Sequence, residues 1–424
     1  MNTKQIRSGI FAVVDQAATS ATNAGAGLVI ILLSNKVDYA TYAMLFSAIL
    51  LVQGIQMALI NSPYTTVVNQ SSNRRYHLIQ TARLSLFFSF VMGLVGVAIY
   101  FVAVRVGDVL WSSEGLVAFV LAVIGVTQRE AVRAIYYADK QPQEAFNNNI
   151  LFCFLSILIV GVCYLFWEVS STSLLLSLGI AGVLCCLPRL IKWGSESSTT
   201  KCEVYSYFRS HLLGSGRWAL KGAVTTWINT NSYNYLAAFF YGALVVADIA
   251  ASRLYWMPLA LLVAGWGSVF RPYISRWYVE QRFLKTKRLI LISCLCALFV
   301  VVVYQFLVQI VHTEILNLGY ADDYAEVSRY LPFWGLFFLL AFARSAFGAA
   351  LMVDEEGYRI LSNVAVAGLV VLLVSIPVVS GFAPVAILCV LVAIEVVQLA
   401  ICFAYSRKFL GNANQFNDAQ GVLR

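Results

Sequence analysis

Apolar residues run along this chain in long blocks broken by short polar connections. Twelve blocks approach the roughly 20 apolar residues that a membrane-spanning helix needs. They lie near 10–33, 39–61, 84–105, 115–137, 149–167, 172–191, 218–241, 248–270, 289–311, 330–353, 360–380 and 384–404. Pro188, Pro258 and Pro377 fall inside blocks, and membrane helices tolerate proline better than soluble ones do. The pattern predicts an all-α polytopic membrane protein with twelve transmembrane helices. The longest connection, 193–217, separates six blocks from six. It divides the chain into a first six-helix lobe over 1–192 and a second over 218–410, with a polar, frayed tail at 411–424.

The two halves echo each other at an offset of about 208–209 residues. Asn61-Ser62-Pro63-Tyr64 ends the second block, and Phe270-Arg271-Pro272-Tyr273 ends the eighth. Thr22-Asn23 in the first block matches Thr230-Asn231 in the seventh. Both halves begin on the same side, so the expected duplication is parallel, about an axis along the membrane normal.

Composition agrees: 60% of residues are hydrophobic and 12% charged, against about 25% charged in a soluble domain. A net charge of +8 suggests nucleic acid, but the distribution of the cations excludes it. With the N-terminus inside, 24 of the 29 Lys and Arg fall on inner connections or inner block ends. Outer segments hold only Lys36, Arg105 and Arg329, and Arg253 and Arg344 lie within blocks. The positive-inside rule therefore places both termini in the cytoplasm. The nine Cys lie in blocks or on the inner side, so no disulfide framework is expected. Cys185-Cys186 and Cys294-x-Cys296 have no His nearby and read as ordinary buried thiols. Neither metal nor cofactor is expected. Residues 1–9 read as a short polar start with no cleavable signal pattern.

Polar residues inside the blocks carry the candidate chemistry. Asp15, Thr19, Thr22 and Asn23 share one side of the first helix, extended by Gln16. This stripe reads as a cavity wall with a carboxylate for ion coupling, or else as a polar helix contact. Gln53 and Gln56 are expected to line the same cavity. In the seventh block Arg217, Lys221, Thr225, Asn229 and Ser232 fall on one face. Lys221 either presents a cation to an anionic substrate or snorkels to the inner surface. Arg253 and Arg344 complete a set of three cations in the second lobe, suited to a phosphate or diphosphate headgroup. The alternative is internal pairing, of Arg253 with Asp248 and of Arg344 with Glu395. Glu395 and Gln398 form a buried pair able to hold a coupling ion or to neutralise Arg344. Glu130 and Arg133 read as a structural ion pair. P-loop, Gly-x-Ser-x-Gly and His-Glu-x-x-His patterns are absent, so no enzyme activity is expected.

Val14-Asp15-Gln16-Ala17, Ser20, Thr22-Asn23, Tyr42, Ala58-Leu59-Ile60 and Pro63 resemble the start of the bacterial polysaccharide transporters, the Wzx-like flippases of the MOP (multidrug/oligosaccharidyl-lipid/polysaccharide) superfamily. Gln128-Arg129-Glu130, Arg133, Tyr136-Tyr137, Pro142 and Ala145 resemble them too, as does Gly319-Tyr320 with Tyr324-Ala325. The resemblance implies two six-helix lobes around a central cavity and alternating access. It also implies passage of an undecaprenyl-diphosphate-linked glycan across a bacterial inner membrane, for O-antigen, capsule or exopolysaccharide assembly, beside polymerase or glycosyltransferase partners. A MATE-like cation-coupled drug antiporter and a noncatalytic subunit of a polysaccharide synthase complex are the alternatives.

Overall fold

A computed structural model of the chain describes residues 3–70, 74–107, 112–195, 217–315, 324, 326–352 and 355–421; at some helix positions, Arg217 among them, it describes the backbone alone. The regular structure of these residues is helical. In chain order the helices are α1 (Thr3–Leu33), α2 (Lys36–Gln56), α3 (Ser62–Gln70), α4 (Arg74–Gly107), α5 (Ser113–Ala138), α6 (Pro142–Phe166) and α7 (Ser171–Ser195). Then follow α8 (Arg217–Tyr241), α9 (Ala243–Val279), α10 (Phe283–Ile315), α11 (Val327–Leu351), α12 (Glu355–Gly381) and α13 (Val385–Gly421). A π-helical turn, Met57–Asn61, joins α2 to α3, so these form one rod with a bulge.

Eleven of the rods are long and apolar enough to cross a membrane. The expected twelfth, α8, is helical but carries too many polar residues to qualify by composition, among them Lys221, Asn229, Asn231 and Asn234. The inter-lobe connection is shorter than expected at its start, because α7 continues to Ser195; residues 196–216 lie outside the described residues. The expected frayed tail is helical to Gly421.

Local chemistry sets the helix starts. The Asn35 side chain accepts from the Asp38 backbone N–H at 2.9 Å and so caps α2. Ser112 does the same for α5, through the Gly115 N–H at 2.9 Å. Pro142 opens α6, where its missing N–H costs nothing. Gly242 turns α8 into α9 with φ of +86°, a conformation that favours glycine.

The chain forms two compact units, one of Met1–Trp227 with Asn234–Ala250 and one of Ile228–Tyr233 with Ala251–Arg424. Lipid tails are as apolar as the side chains, so helices inside a bilayer are held mainly by close packing and hydrogen bonds. In the first unit the tightest packing is between α5 and α7. A methyl group on Gly125 would lie 2.3 Å from the Gly179 carbonyl oxygen, and one on Gly182 would lie 2.4 Å from the Gly125 carbonyl oxygen. The two backbones therefore touch directly. In the second unit the core is aromatic. Trp334 stands edge-on to Tyr233 and Phe337, each at 5.4 Å between ring centres, and donates its indole N–H to Ser252 Oγ at 2.9 Å. Helix α10 packs on α11 with one side, and it exposes Leu291, Leu295, Phe299, Phe306 and Ile310. Such a coat is stable against hydrocarbon and not against water.

Candidate functional site

In the first unit, Asp15 is fully buried in the first half of α1, more than three turns from its start. Its Oδ2 accepts from Arg133 Nε and from the Tyr137 hydroxyl, both at 2.7 Å. Arg133 and Tyr137 lie one turn apart on α5 and so reach one acceptor together. Arg133 also donates to Gln16 Oε1 at 2.7 Å and stands 3.5 Å from Glu130 Oε2. Glu130 Oε1 accepts from Arg129 at 3.0 Å, and the Arg129 guanidinium lies 4.4 Å over the Phe152 ring. Gln53 also reaches Glu130. The result is a chain of alternating charge, Asp15–Arg133–Glu130–Arg129, with two acids and two bases.

The polar stripe of α1 turns towards α6. Asn149 donates to the Asp15 carbonyl at 3.1 Å and to Thr19 Oγ1 at 3.0 Å, and Thr22 Oγ1 meets Cys153 Sγ at 2.8 Å. Asp15, Thr19 and Thr22 thus all touch side chains of α6. Asn23 and Gln53 are half-buried. Lys221 is exposed, and its carbonyl accepts from the Thr225 hydroxyl.

The same unit has a cavity of about 690 Å³ beside the turn between α5 and α6, lined by Phe11, Tyr136, Asp139, Lys140, Glu144 and Trp193. Partial burial pushes the Asp139 carboxyl above its ordinary range, and the nearby Arg74 opposes that shift.

In the second unit, Arg344 meets Glu395 in a two-point ion pair, Nε to Oε2 at 2.7 Å and Nη2 to Oε1 at 3.2 Å. The pairing alternative weighed for Arg344 is therefore present. The arginine side chain keeps 29% exposure and the glutamate 2%. Close by, Asn229 donates to the Ala365 carbonyl at 2.8 Å. A methyl group on Gly368 would lie 2.3 Å from Gln398 Nε2 and 2.7 Å from Asn229 Nδ2. Asn229 and Gln398 therefore converge over a bare stretch of α12.

Arg253 is half-buried on α9 and takes no carboxylate among the described residues. It donates to the Tyr233 hydroxyl at 3.0 Å and to Asn231 Oδ1 at 3.4 Å. Its guanidinium carbon lies 5.5 Å from the Tyr233 ring centre and 5.4 Å from that of Trp334. The expected alternative partner, Asp248, is paired with Lys36 at 2.7 Å instead. Aromatic faces hold a guanidinium by cation–π attraction and leave its edge donors available to an oxyanion.

The sequence reading missed Asn149, Tyr233 and Trp334. Runs of amides inside apolar blocks, Asn147-Asn148-Asn149 and Asn229 to Asn234, were the available signal.

No family model and no curated protein sequence matches the chain. Solved structures do match along nearly the whole length. A lipid II flippase MurJ in an inward closed conformation aligns at 11% identity and TM-score 0.72, over 93% of this chain and 87% of that one. An inward-facing multidrug resistance MATE family transporter of the MOP superfamily aligns at 12% identity and TM-score 0.69, over 95% and 99%. A MOP superfamily transporter from Pyrococcus furiosus, whose structure is described as having a binding pocket of reverse polarity that suggests a different function, aligns at 12% and 0.64, over 97% and 96%. The chain is a multi-pass membrane protein with the fold of the MOP superfamily transporters.

Proposed function

We propose that the chain is a flippase that moves an undecaprenyl-diphosphate-linked oligosaccharide from the cytoplasmic to the periplasmic leaflet of a bacterial inner membrane by alternating access. The observation that carries this reading is the unneutralised guanidinium of Arg253. A buried charge is costly unless paired. Asp15, Glu130, Asp248 and Glu395, the buried carboxylates among the described residues, each have a cation within 3.5 Å. Among the described residues Arg253 has hydroxyl, amide and ring partners and no carboxylate. An interior with its acids satisfied and a guanidinium left over suits an anionic headgroup, not an organic cation. In this reading Arg253 engages the diphosphate, with Arg344 of the same unit as a further headgroup cation, and Asn229 contacts the glycan. The likeness to a lipid II flippase supports a lipid-linked substrate. The excess of Lys and Arg on alternate connections supports cytoplasmic termini.

The test is a deletion strain in which the leaflet holding the undecaprenyl-linked glycan is measured. Wild-type chain should restore periplasmic delivery; Arg253→Gln, present at the same level, should leave the glycan facing the cytoplasm. Full delivery by Arg253→Gln would overturn the headgroup role. Normal delivery without the chain, together with altered drug sensitivity, would favour an antiporter of MATE type. Normal delivery with copurification of a glycosyltransferase would favour a synthase subunit.

A further inference from the structure

Between α9 and α10, floored by α11, runs an apolar cavity of about 510 Å³. Its α10 wall extends from Leu289 to Val301, about 18 Å of helix at about 1.5 Å per residue. That is close to one leaflet's share, about 15 Å, of a bilayer's hydrocarbon core. Trp266 and Phe342 lie at its floor, with ring centres 5.5 Å apart. The Trp266 indole N–H is satisfied within it, donating to Ser293 Oγ at 2.9 Å. Leu262, Val269 and Ile292 are exposed along its edges, so the groove opens sideways towards lipid.

One end of the groove is cationic. On α10, Lys285 and Arg288 precede Leu289 and Ile292 by one turn and share their face. On α9, Tyr273 and Arg276 follow Val269 by one and two turns, and Tyr273 stands 6.2 Å from Trp277 between ring centres. The acid of the connecting turn, Glu280, is shared by Arg276 at 2.7 Å and Arg282 at 3.1 Å, and Lys285 acts on it from further off. Among the described residues no carboxylate comes within 4.0 Å of Lys285 or Arg288, and both are exposed. Tyrosine and tryptophan belong at headgroup level, and lysine and arginine there attract anionic lipids. A neutral lipid would fill the groove and leave these cations unanswered. An undecaprenyl chain is far longer than the groove.

We propose that this groove is a resident site for an anionic phospholipid. One acyl chain lies along α10 between Leu289 and Val301, and Lys285 and Arg288 hold the phosphate. Arg253 lies two and a half turns before Leu262, and Arg344 two residues past Phe342, so each is on the opposite side of its helix from the groove. The lipid site is thus separate from the headgroup cations proposed above and does not depend on what the chain transports.

The test is native mass spectrometry of the purified full chain in detergent, titrated with dioleoyl phosphatidylglycerol or dioleoyl phosphatidylcholine. The first phosphatidylglycerol should bind about thirtyfold more tightly than the first phosphatidylcholine, at about fivefold for each of two cations. Lys285→Gln/Arg288→Gln should lose that preference. Val300→Trp fills the far end of the groove. It should weaken dioleoyl phosphatidylglycerol at least about tenfold and leave the dioctanoyl lipid, whose chains stop short of it, little changed. Equal binding of the two headgroups by wild type, or a preference that survives the double variant, would overturn the proposal. So would a Val300→Trp chain that binds both chain lengths as wild type does, since the lipid would then sit on the cations alone. Tighter binding of undecaprenyl phosphate than of phosphatidylglycerol would overturn the phospholipid as occupant in favour of the transported lipid. If Val300→Trp did not fold, wild type would decide, because it should bind dioctanoyl phosphatidylglycerol at least about tenfold more weakly than dioleoyl.

Discussion

Asp248 gives its charge to Lys36, at 2.7 Å, and not to Arg253 further along the same helix. The ion pair ties the start of α9 to the start of α2. Its side chains are 17% and 7% exposed, so it is largely withdrawn from solvent. Asp248→Asn should destabilise the chain by up to about 3 kcal/mol, read as a lower unfolding midpoint in detergent, and should leave export per folded molecule unchanged. Export lost at unchanged stability would show that the acid serves Arg253 after all.

The charge chain around Asp15 predicts an asymmetry. Arg133→Gln strands Asp15, which is fully buried, and among the described residues leaves the Tyr137 hydroxyl alone at its acidic oxygen. Asp15→Asn strands much less, because Arg133 keeps Glu130 at 3.5 Å. The arginine substitution should cost about 3–5 kcal/mol and the aspartate substitution clearly less. Parallel unfolding curves of the two variants would check this, and equal losses would remove Glu130 as a compensating partner.

Gly368 lies within α12, where alanine would normally strengthen a helix by about 1 kcal/mol. Here a methyl group meets Gln398 and Asn229. Gly368→Ala should therefore destabilise, by about 1–3 kcal/mol. Combining it with Gln398→Ala should recover part of the loss, which a double-mutant cycle measures. A stabilised Gly368→Ala chain would show that the amides yield freely.

Asp139 lies outside the membrane-spanning segments, in the cavity beside the α5–α6 turn. Burial raises its carboxyl above the ordinary value. The folded chain therefore binds this proton more readily than the unfolded chain does, and the contribution of Asp139 to stability falls as pH rises from the unfolded value through the folded one. Asp139→Asn should be at least as stable as wild type at neutral pH and should lose that part of the pH dependence. A less stable variant would mean that attraction to Arg74 outweighs burial.

Much of the fold was legible because long apolar blocks are a composition signal that depends little on tertiary contacts. The polar seventh block shows the limit: α8 is a helix, but its polar residues weaken that signal. The site was legible by residue type and not by pairing. Asp15, Glu395, Arg253 and Arg344 stood out because charges are rare in such blocks. Their partners are set by helix neighbours distant in sequence: Asp15 meets Arg133, Tyr137 and Asn149 on α5 and α6. Arg253 and Asp248 stand five residues apart, on different faces of α9, and Asp248 pairs with Lys36 instead. Helical spacing identified the face carrying Asp15, Thr19 and Thr22, but spacing does not say whether a polar face meets open space or the Asn149 and Cys153 side chains of another helix.

The glycine contact between α5 and α7 has a mechanical consequence for the first unit. Backbones that touch at Gly125, Gly179 and Gly182 have no side chains between them to change rotamer, so neither helix can roll or slide past the other without a collision. This pair behaves as a stiff plate. Elsewhere in the unit the backbone ladder is looser: the π-turn at Met57–Asn61 is wound with wider hydrogen-bond rings than its neighbours, the kind of place where a long helix bends.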